Sequence, residues 1–341
     1  MPGPTSPLNR LVADIGGTNT RLALYDPSRN ELRSMRTYLN RDYTEFEDII
    51  LSWLDNLAEP HPTVCCLAVA APPFDDRVTM LNINWSFSLR DVAARCGFEQ
   101  LQCINDFEAN AYALPHLAKS ALKVIYQGTV SRGGKLATVG PGTGLGGATL
   151  HWAGGAARAN ASEPGYMSLS PATDLELQLF RHLLSQGEVY AELLVSGPGL
   201  QRLYQALGTI QGQETLPLSP EEISAKAQRG ECPLCRLTLD TFCALLGSIC
   251  GDFVLANGAY GGLYLAGGFL HGMVDFLQAS SFVERFQAKG KMRMHLSEVP
   301  LYAIVSEKTG LVGAAHAPFS PIQVSDDALT SAAQEAANRG F

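Results

Sequence analysis

The chain has 341 residues, more than one hydrophobic core usually spans, which points to two domains. It is 46% hydrophobic and 17% charged, a balance that excludes an intrinsically disordered chain. A formal net charge of −8 with no basic run gives no electrostatic footprint for nucleic acid, so a bound polyphosphate needs local donors and a metal.

Residues 1–7 are proline-rich and have no apolar signal core, and a cytoplasmic location is expected. Two short strand-like runs, 11–14 and 22–25, flank a first glycine loop, Gly16-Gly17-Thr18-Asn19, and read as a hairpin. Residues 44–57 have helical periodicity, with Phe46, Ile49, Ile50, Trp53 and Leu54 on one side. The apolar run 65–71 reads as a buried central strand, stopped by Pro72-Pro73. A strand at 101–104 leads into Asn105-Asp106 and a helix over 107–114, ended by Pro115. Strands at 136–139 and 148–152 flank a second loop, Gly140-Pro141-Gly142-Thr143-Gly144-Leu145-Gly146-Gly147. The arrangement repeats the first hairpin and hints at a duplicated architecture. Helices are expected at 175–185 and 191–194, and a capping box with proline at the first helical position opens another at 219–228. A long helical pattern covers 233–257, a buried strand 262–266 closes on Gly267-Gly268, and 301–305 reads as the last strand. A helix follows at 310–317, and the polar tail after Pro321 reads as an accessory helix or as disordered.

Residues 254–274 lack Asp, Glu, Lys and Arg, yet their glycines cut the apolar residues into short bursts. A buried strand between turns fits them better than a membrane span. Eight cysteines are scattered along the chain, and all are expected to be reduced. Cys232-Pro-Leu-Cys235 has metal or redox spacing, but no second pair supplies the rest of a zinc site, and thiols at a helix start are the plainer reading.

The second loop formally contains G-x-G-x-x-G, but a strand follows it where the dinucleotide fingerprint needs a helix. What remains is a turn whose N–H groups and Thr143 face a phosphate, or a plain structural turn. Asp14, just before the first loop, is placed to hold Mg²⁺ against phosphate oxygens through water, or simply to fix its own turn. Asn105 and Asp106 end a buried strand at its carboxyl end, where ligands sit in open α/β sheets, although Asp106 is also a candidate helix cap. Glu163 and Glu192 are carboxylates beside glycine turns and suit sugar hydroxyls, or are ordinary surface charges.

Taken together, Asp14-Ile-Gly-Gly-Thr-Asn19, Asn82-x-x-Trp85-x-Phe87-Ser88, Ile104-Asn-Asp-Phe107, Gly142-Thr-Gly-Leu-Gly146, Glu163-x-Gly165, Ser196-Gly-Pro-Gly-Leu200 and Leu265-Ala-Gly-Gly268 resemble the bacterial glucokinases of the non-ROK group. These belong to the actin-like, sugar-kinase and Hsp70 superfamily, and the resemblance runs from about residue 11 to 317. It implies an α/β, two-domain actin-like ATPase (ribonuclease H-like) fold with a cleft between a small domain (1–116, with 306–341 returning to it) and a large one (117–305). It implies an ATP- and Mg²⁺-dependent transfer to the 6-hydroxyl of glucose, with Asp106 as general base. Asn105, Asp106, Glu163, Tyr166 and Glu192 match the sugar site. Asp14, Gly16, Gly17, Thr18 and Asn19, then Gly142, Thr143 and Gly144, match the two phosphate motifs, and Gly267 and Gly268 the adenosine side. The partners implied are a sugar, ATP and a second copy in a homodimer, with neither nucleic acid nor membrane.

The chain departs from the family where Tyr166 stands in place of a sugar-contacting His, and where Pro141 removes an N–H from the second loop. The first departure opens a kinase for another hexose or amino sugar as an alternative. A non-catalytic sugar sensor is the alternative of another class, weakened because Asp106 and both loops are present.

Overall fold

The computed structural model describes residues 8–71, 76–80, 83–129, 134–320 and 322–323, arranged in two compact units. One unit takes residues up to 117 and those from 308 onward, and the other takes 118–307.

In the first unit, β1 (Arg10–Ile15), β2 (Asn19–Asp26) and β3 (Glu31–Leu39) form an antiparallel meander. β4 (Val64–Val69) joins β1 in parallel, and β7 (Gln100–Asn105) joins β4 in parallel. Every residue of β4 is buried, as expected for a strand with parallel neighbours on both edges. A short hairpin, β5 (Arg77–Thr79) with β6 (Ser86–Ser88), leads into α2 (Leu89–Cys96). Helix α1 (Phe46–Asp55) buries Phe46, Ile49, Ile50, Trp53 and Leu54, the stripe legible in the sequence. Phe87 and Trp85 pack on Phe46, with ring centroids 4.8 and 6.1 Å away. Asn82, the first residue of that motif, lies outside the described residues.

Helix α3 (Asp106–Ala113) begins at Asp106 and not at Phe107, because Asn105 supplies the cap. Pro115 does not end the chain's turn: it sits in a 3₁₀ turn, Leu114–His116, where a missing N–H is tolerated. Residues 301–304 are not the last strand, because β14 (Ile322–Gln323) pairs antiparallel with β7. The rest of the carboxyl-terminal tail lies outside the described residues.

The second unit holds β8 (Leu122–Tyr126), β9 (Leu136–Pro141), β10 (Leu145–Ala153), β11 (Ala156–Ser162), β12 (Gly262–Leu265) and β13 (Leu301–Ile304). Its strand order, β11-β10-β9-β12-β13-β8, matches β3-β2-β1-β4-β7-β14 of the first unit, pair for pair in direction. The duplicated hairpins in the sequence are thus the start of two copies of one sheet plan. β3, β8 and β11 escape sequence reading for a common reason. Each is an edge strand with many exposed positions, so no apolar alternation marks it.

Around this second sheet lie α4 (Asp174–Leu184), α5 (Ala191–Leu194), α6 (Gly197–Ile210), α7 (Pro220–Gln228), α8 (Pro233–Asn257), α9 (Val274–Ala279), α10 (Phe282–Gln287) and α11 (Arg293–Leu296). The capping box of α7 forms as the sequence predicts, Ser219 and Glu222 each bonding the other's backbone N–H. α8 is long and apolar enough to cross a membrane, but 72% of that window is buried in the unit, so it is a core helix. Gly247 and Gly251 of α8 lie against the Phe282 and Phe286 carbonyls of α10. A buried ion pair, Arg285 on Glu176, pins α10 to α4, and Arg285 Nε donates to Ser248 Oγ of α8 at 3.0 Å.

The final helix, α12 (Thr309–His316), packs on α3 within the first unit. A Cβ on Gly313 would overlap the Ala109 carbonyl of α3, so the two backbones touch directly. Gly313→Ala is expected to cost about 2 kcal/mol or more by overpacking. A fall in the urea midpoint with an unchanged m-value would report it, and an unchanged midpoint would contradict the contact.

Candidate active site

The parallel register of the first unit sets where its candidate residues lie. Ile15, Val69 and Asn105 are aligned partners across β1, β4 and β7, so the three strands end level. The first glycine loop leaves β1 at that level and Asp106 leaves β7 there, two strand spacings or roughly 10 Å apart. This is the carboxyl edge where α/β sheets take ligands.

Asn105, not Asp106, is the cap of α3. Its Oδ1 accepts from Phe107 N at 2.9 Å and Glu108 N at 3.2 Å. Asp106 Oδ1 accepts from Phe107 N at 2.9 Å, which fixes its carboxylate at the helix start, half-buried. With Oδ1 of Asn105 occupied, the group it can offer a ligand hydroxyl is its Nδ2 amide.

The first loop turns through Gly16 N to Asn19 O at 3.0 Å. A residue unmarked in the sequence, Asn40, holds it. Asn40 Nδ2 donates to Gly16 O at 2.8 Å, its backbone N to Thr18 O at 2.9 Å, and its Oδ1 accepts from Thr20 Oγ1 at 2.8 Å. A cavity of ≈ 470 Å³ opens beside Gly17 and Thr18, bordered by Asn40, Arg41, Tyr43 and Trp85. Asp14 faces Arg21 Nη1 at 3.7 Å, and its carboxylate occupies the space where a side chain on Gly310, in the first turn of α12, would lie. Burial raises the Asp14 carboxyl above its ordinary value, against the lowering effect of Arg21.

The second unit brings together the residues of three separate motifs. Glu192 Oε2 accepts from Leu145 N at 2.8 Å. The Glu192 carboxylate lies against Gly144 on one side and Gly165 on the other, where a Cβ would collide with it. Glycine at both positions therefore makes room for Glu192. Burial, then the Glu192 charge, pushes the neighbouring Glu163 carboxyl up. Ala191 N donates to Met167 O at 2.9 Å, and Ser168 bridges Tyr190, which ties the Glu192 segment to the Glu163 turn. Tyr166 is 64% exposed, and its ring stacks on Tyr190 at 5.6 Å and 18°. The Glu192 charge, then burial, Tyr190 and Glu163, raise its phenol, which stays a neutral donor. Ser196-Gly197-Pro198-Gly199 is not a free glycine turn: Ser196 Oγ accepts from Gly199 N and caps α6.

The second loop is tied down by Gly142 N to Gly144 O at 2.7 Å and by Gly197 N to Gly142 O at 2.8 Å. β10, not a helix, follows it, which removes the dinucleotide fingerprint. Gly267 has φ +116°, and a Cβ there would lie 2.7 Å from Pro141 O, so this glycine is demanded by the fold. Gly142 and Gly268 differ: neither has a positive φ, and a Cβ on either would meet nothing within 4 Å. Their own packing does not call for glycine. Bare backbone beside open space is what a closely approaching phosphate or nucleoside requires.

No group of three or more His, Cys, Asp or Glu side chains among the described residues is placed to hold a metal. The lone Asp14 carboxylate suits Mg²⁺ carried in with phosphate and held through water, and does not suit an all-protein cage.

The half-buried Asp14 carboxylate has a testable cost. Its folded value is raised, so folding disfavours the ionised form, and the cost is absent below the ordinary value of 3.8 and grows as pH rises past it. Asp14→Asn is expected to raise Tm at pH 7, by about 2–4 °C for each kcal/mol relieved, and to lower kcat. The Tm gain should shrink toward pH 4, and a Tm loss at pH 7 would mean that the Arg21 pairing dominates.

The comparisons with known proteins agree with this geometry. The family model described as Glucokinase matches residues 11–319. The glucokinase of Saccharophagus degradans is 40% identical over 309 residues, covering 89% of this chain and 96% of that protein. A crystal structure of glucokinase from an Antarctic psychrotroph superposes with a TM-score of 0.81 at 38% identity, covering 90% of this chain and 98% of that one. A ROK family glucokinase from Streptomyces griseus, solved in complex with glucose and AMPPNP, shares the fold at 19% identity and a TM-score of 0.61, over 90% of this chain and 98% of its own. The chain belongs to the glucokinase family.

Proposed function

We propose that this chain transfers the γ-phosphoryl group of ATP to the 6-hydroxyl of glucose, with Asp106 as general base. The observation that carries the reading is the Asn105-Asp106 pair at the carboxyl end of β7, inside a chain of this family. The half-buried Asp106 carboxylate is fixed at the start of α3 by Phe107 N. It orients the sugar O6–H and takes its proton as O6 attacks phosphorus and ADP leaves. Phosphoryl transfer has a loose transition state, so positioning and charge compensation outweigh covalent chemistry.

The sugar is assigned to side chains with complementary hydrogen-bonding roles. The Asn105 amide donates to a ring hydroxyl oxygen. Glu163 and the free Oε1 of Glu192 accept from hydroxyls, while Oε2 of Glu192 stays on Leu145 N. Tyr166 makes the contact of the family's His through a neutral O–H. Gly16, Gly17, Thr18 and Asn19 are assigned to phosphate on one unit and Gly142, Thr143 and Gly144 on the other. Gly267 and Gly268 take the adenosine side, where Gly268 leaves open room. Asp14 would hold Mg²⁺ through water, and the ion would supply charge neutralisation to the phosphates when bound. A cytoplasmic homodimer completes the reading.

Asp106→Asn is expected to leave glucose affinity by calorimetry within a few-fold and to lower kcat by about 10²–10⁴. Retained kcat would sink the assignment of the base, and glucose binding with no ATP consumption by the parent chain would favour a sugar sensor.

The substrate choice rests on the Tyr166 corner. Tyr166→Ala is expected to raise the glucose KM by about five- to tenfold, the worth of one hydrogen bond, with a smaller change in kcat. In a panel of glucose, mannose, fructose and N-acetylglucosamine, glucose is expected to give the highest kcat/KM. Preference for another sugar would mean that Tyr166 has retuned the site.

A further inference from the structure

Cys232-Pro233-Leu234-Cys235 plays no part in the chemistry described so far. It lies at the start of α8, the longest core helix of its unit. Cys232 is the residue that caps the helix, and its Sγ accepts from Cys235 N at 3.3 Å. Cys232 Sγ is thereby held against the Cys235 backbone, and each of the two thiols bears on the other's ionisation. Sulfur is a weak acceptor, and Ser, Thr, Asp or Asn is the better cap. Helix capping alone therefore does not account for cysteine at position 232.

The two thiols are unlike each other, and Cys232 is unlike the other seven, all of which burial holds above the ordinary thiol. Cys232 is partly exposed and Cys235 is buried. Burial acts to raise the Cys232 thiol, but hydrogen bonds from the Cys235 and Leu234 N–H groups and from the Cys235 thiol, together with Lys226, outweigh it and leave it below its ordinary value. Burial, and then the Cys232 sulfur beside it, pushes the Cys235 thiol up to about 12. Elsewhere, burial pushes Cys66, Cys96 and Cys243 up to about 12 and holds Cys65, Cys103 and Cys250 well above the ordinary thiol. Cys65 and Cys66 are adjacent on β4, where successive side chains face opposite sides of the sheet and cannot pair.

We propose that Cys232 and Cys235 form a thiol–disulfide exchange site, with Cys232 as the attacking sulfur and Cys235 as the resolving one. The co-reactant is a small-molecule disulfide. The Cys232 thiolate attacks one sulfur of that disulfide, a mixed S–S bond forms and one thiolate leaves. The Cys235 sulfur, losing its proton to solvent, then attacks Cys232 Sγ and expels the second thiolate. Two protein thiols are oxidised to one disulfide and the small disulfide is reduced to two thiols. Cys232 lies outside the helical conformation, with φ −141° and ψ 112°, and its C=O accepts from Arg236 N at 3.0 Å, so rotation of its side chain toward the Cys235 sulfur gives up the weak Sγ cap and leaves that backbone bond in place.

The test uses the folded full-length chain and glutathione disulfide as the probe. After exposure, remaining thiols are alkylated and the peptides are weighed. The expected result is an internal disulfide in the peptide carrying Cys232 and Cys235, with the other six cysteines alkylated. Cys235→Ser should trap a glutathione adduct on Cys232, and Cys232→Ser, which installs a stronger cap, should leave Cys235 unmodified. In the unsubstituted chain, iodoacetamide should label Cys232 about tenfold or more faster than any other cysteine, as its thiolate fraction dictates. Alkylation of both thiols after exposure, or first modification at any other cysteine, would overturn the proposal.

Discussion

The level ending of β1, β4 and β7 is the constraint on which the first unit's chemistry depends. Because β4 and β7 run parallel to β1, one edge of the sheet collects the carboxyl ends of all three strands. A slip of one residue would turn each strand's side chains to the other face. Asn105 then converts a strand end into a helix start by accepting two N–H groups, and Asp106 is the first residue past that cap. Asp106 is positioned by backbone register and one amide rather than by a long loop.

Charge governs the candidate residues of the second unit. Glu163 and Glu192 are like charges close enough for one to raise the other's carboxyl. Glu192 is anchored by Leu145 N and by the space that two glycines leave for it. Holding two carboxylates together is unfavourable without a partner, and sugar hydroxyls are donors that relieve it. Asp14 shows the same economy in the first unit, with a half-buried carboxylate kept beside Arg21 and the first turn of α12. Sites of this kind trade stability for readiness to bind.

Much of the fold was legible because buried strands and amphipathic helices announce themselves. The central strand β4, the stripe of α1, the capping box of α7 and the span of α8 all follow from periodicity or cap chemistry. Edge strands do not, since exposed positions take any residue. At the site, the glycine loops and Asn105-Asp106 stood out, and the capping role belonged to Asn105 rather than Asp106 because Asn105 lies just outside the helix. Asn40 and Gly310 were invisible for a different reason. Their roles come from contacts made across the fold, Asn40 to Gly16 and Gly310 to Asp14, and no local pattern records such pairings. Tyr190, two residues before Glu192, carried a hint, an aromatic side chain beside a candidate carboxylate.

The return of α12 and β14 to the first unit has a consequence for how the protein is made. The second unit is one continuous stretch, whereas the first has its sheet edge and its α3 partner supplied from beyond residue 307. During synthesis the 190 or so residues between take roughly 10–40 s at about 5–20 residues per second. Through that interval the Ala109 carbonyl, against which Gly313 will pack, lacks its covering helix, and β7 keeps an open edge. The unit that carries Asp106 is therefore the first to be translated and the last to be completed, and a ribosome that stops before α12 releases a chain with its second unit whole and its first unit open.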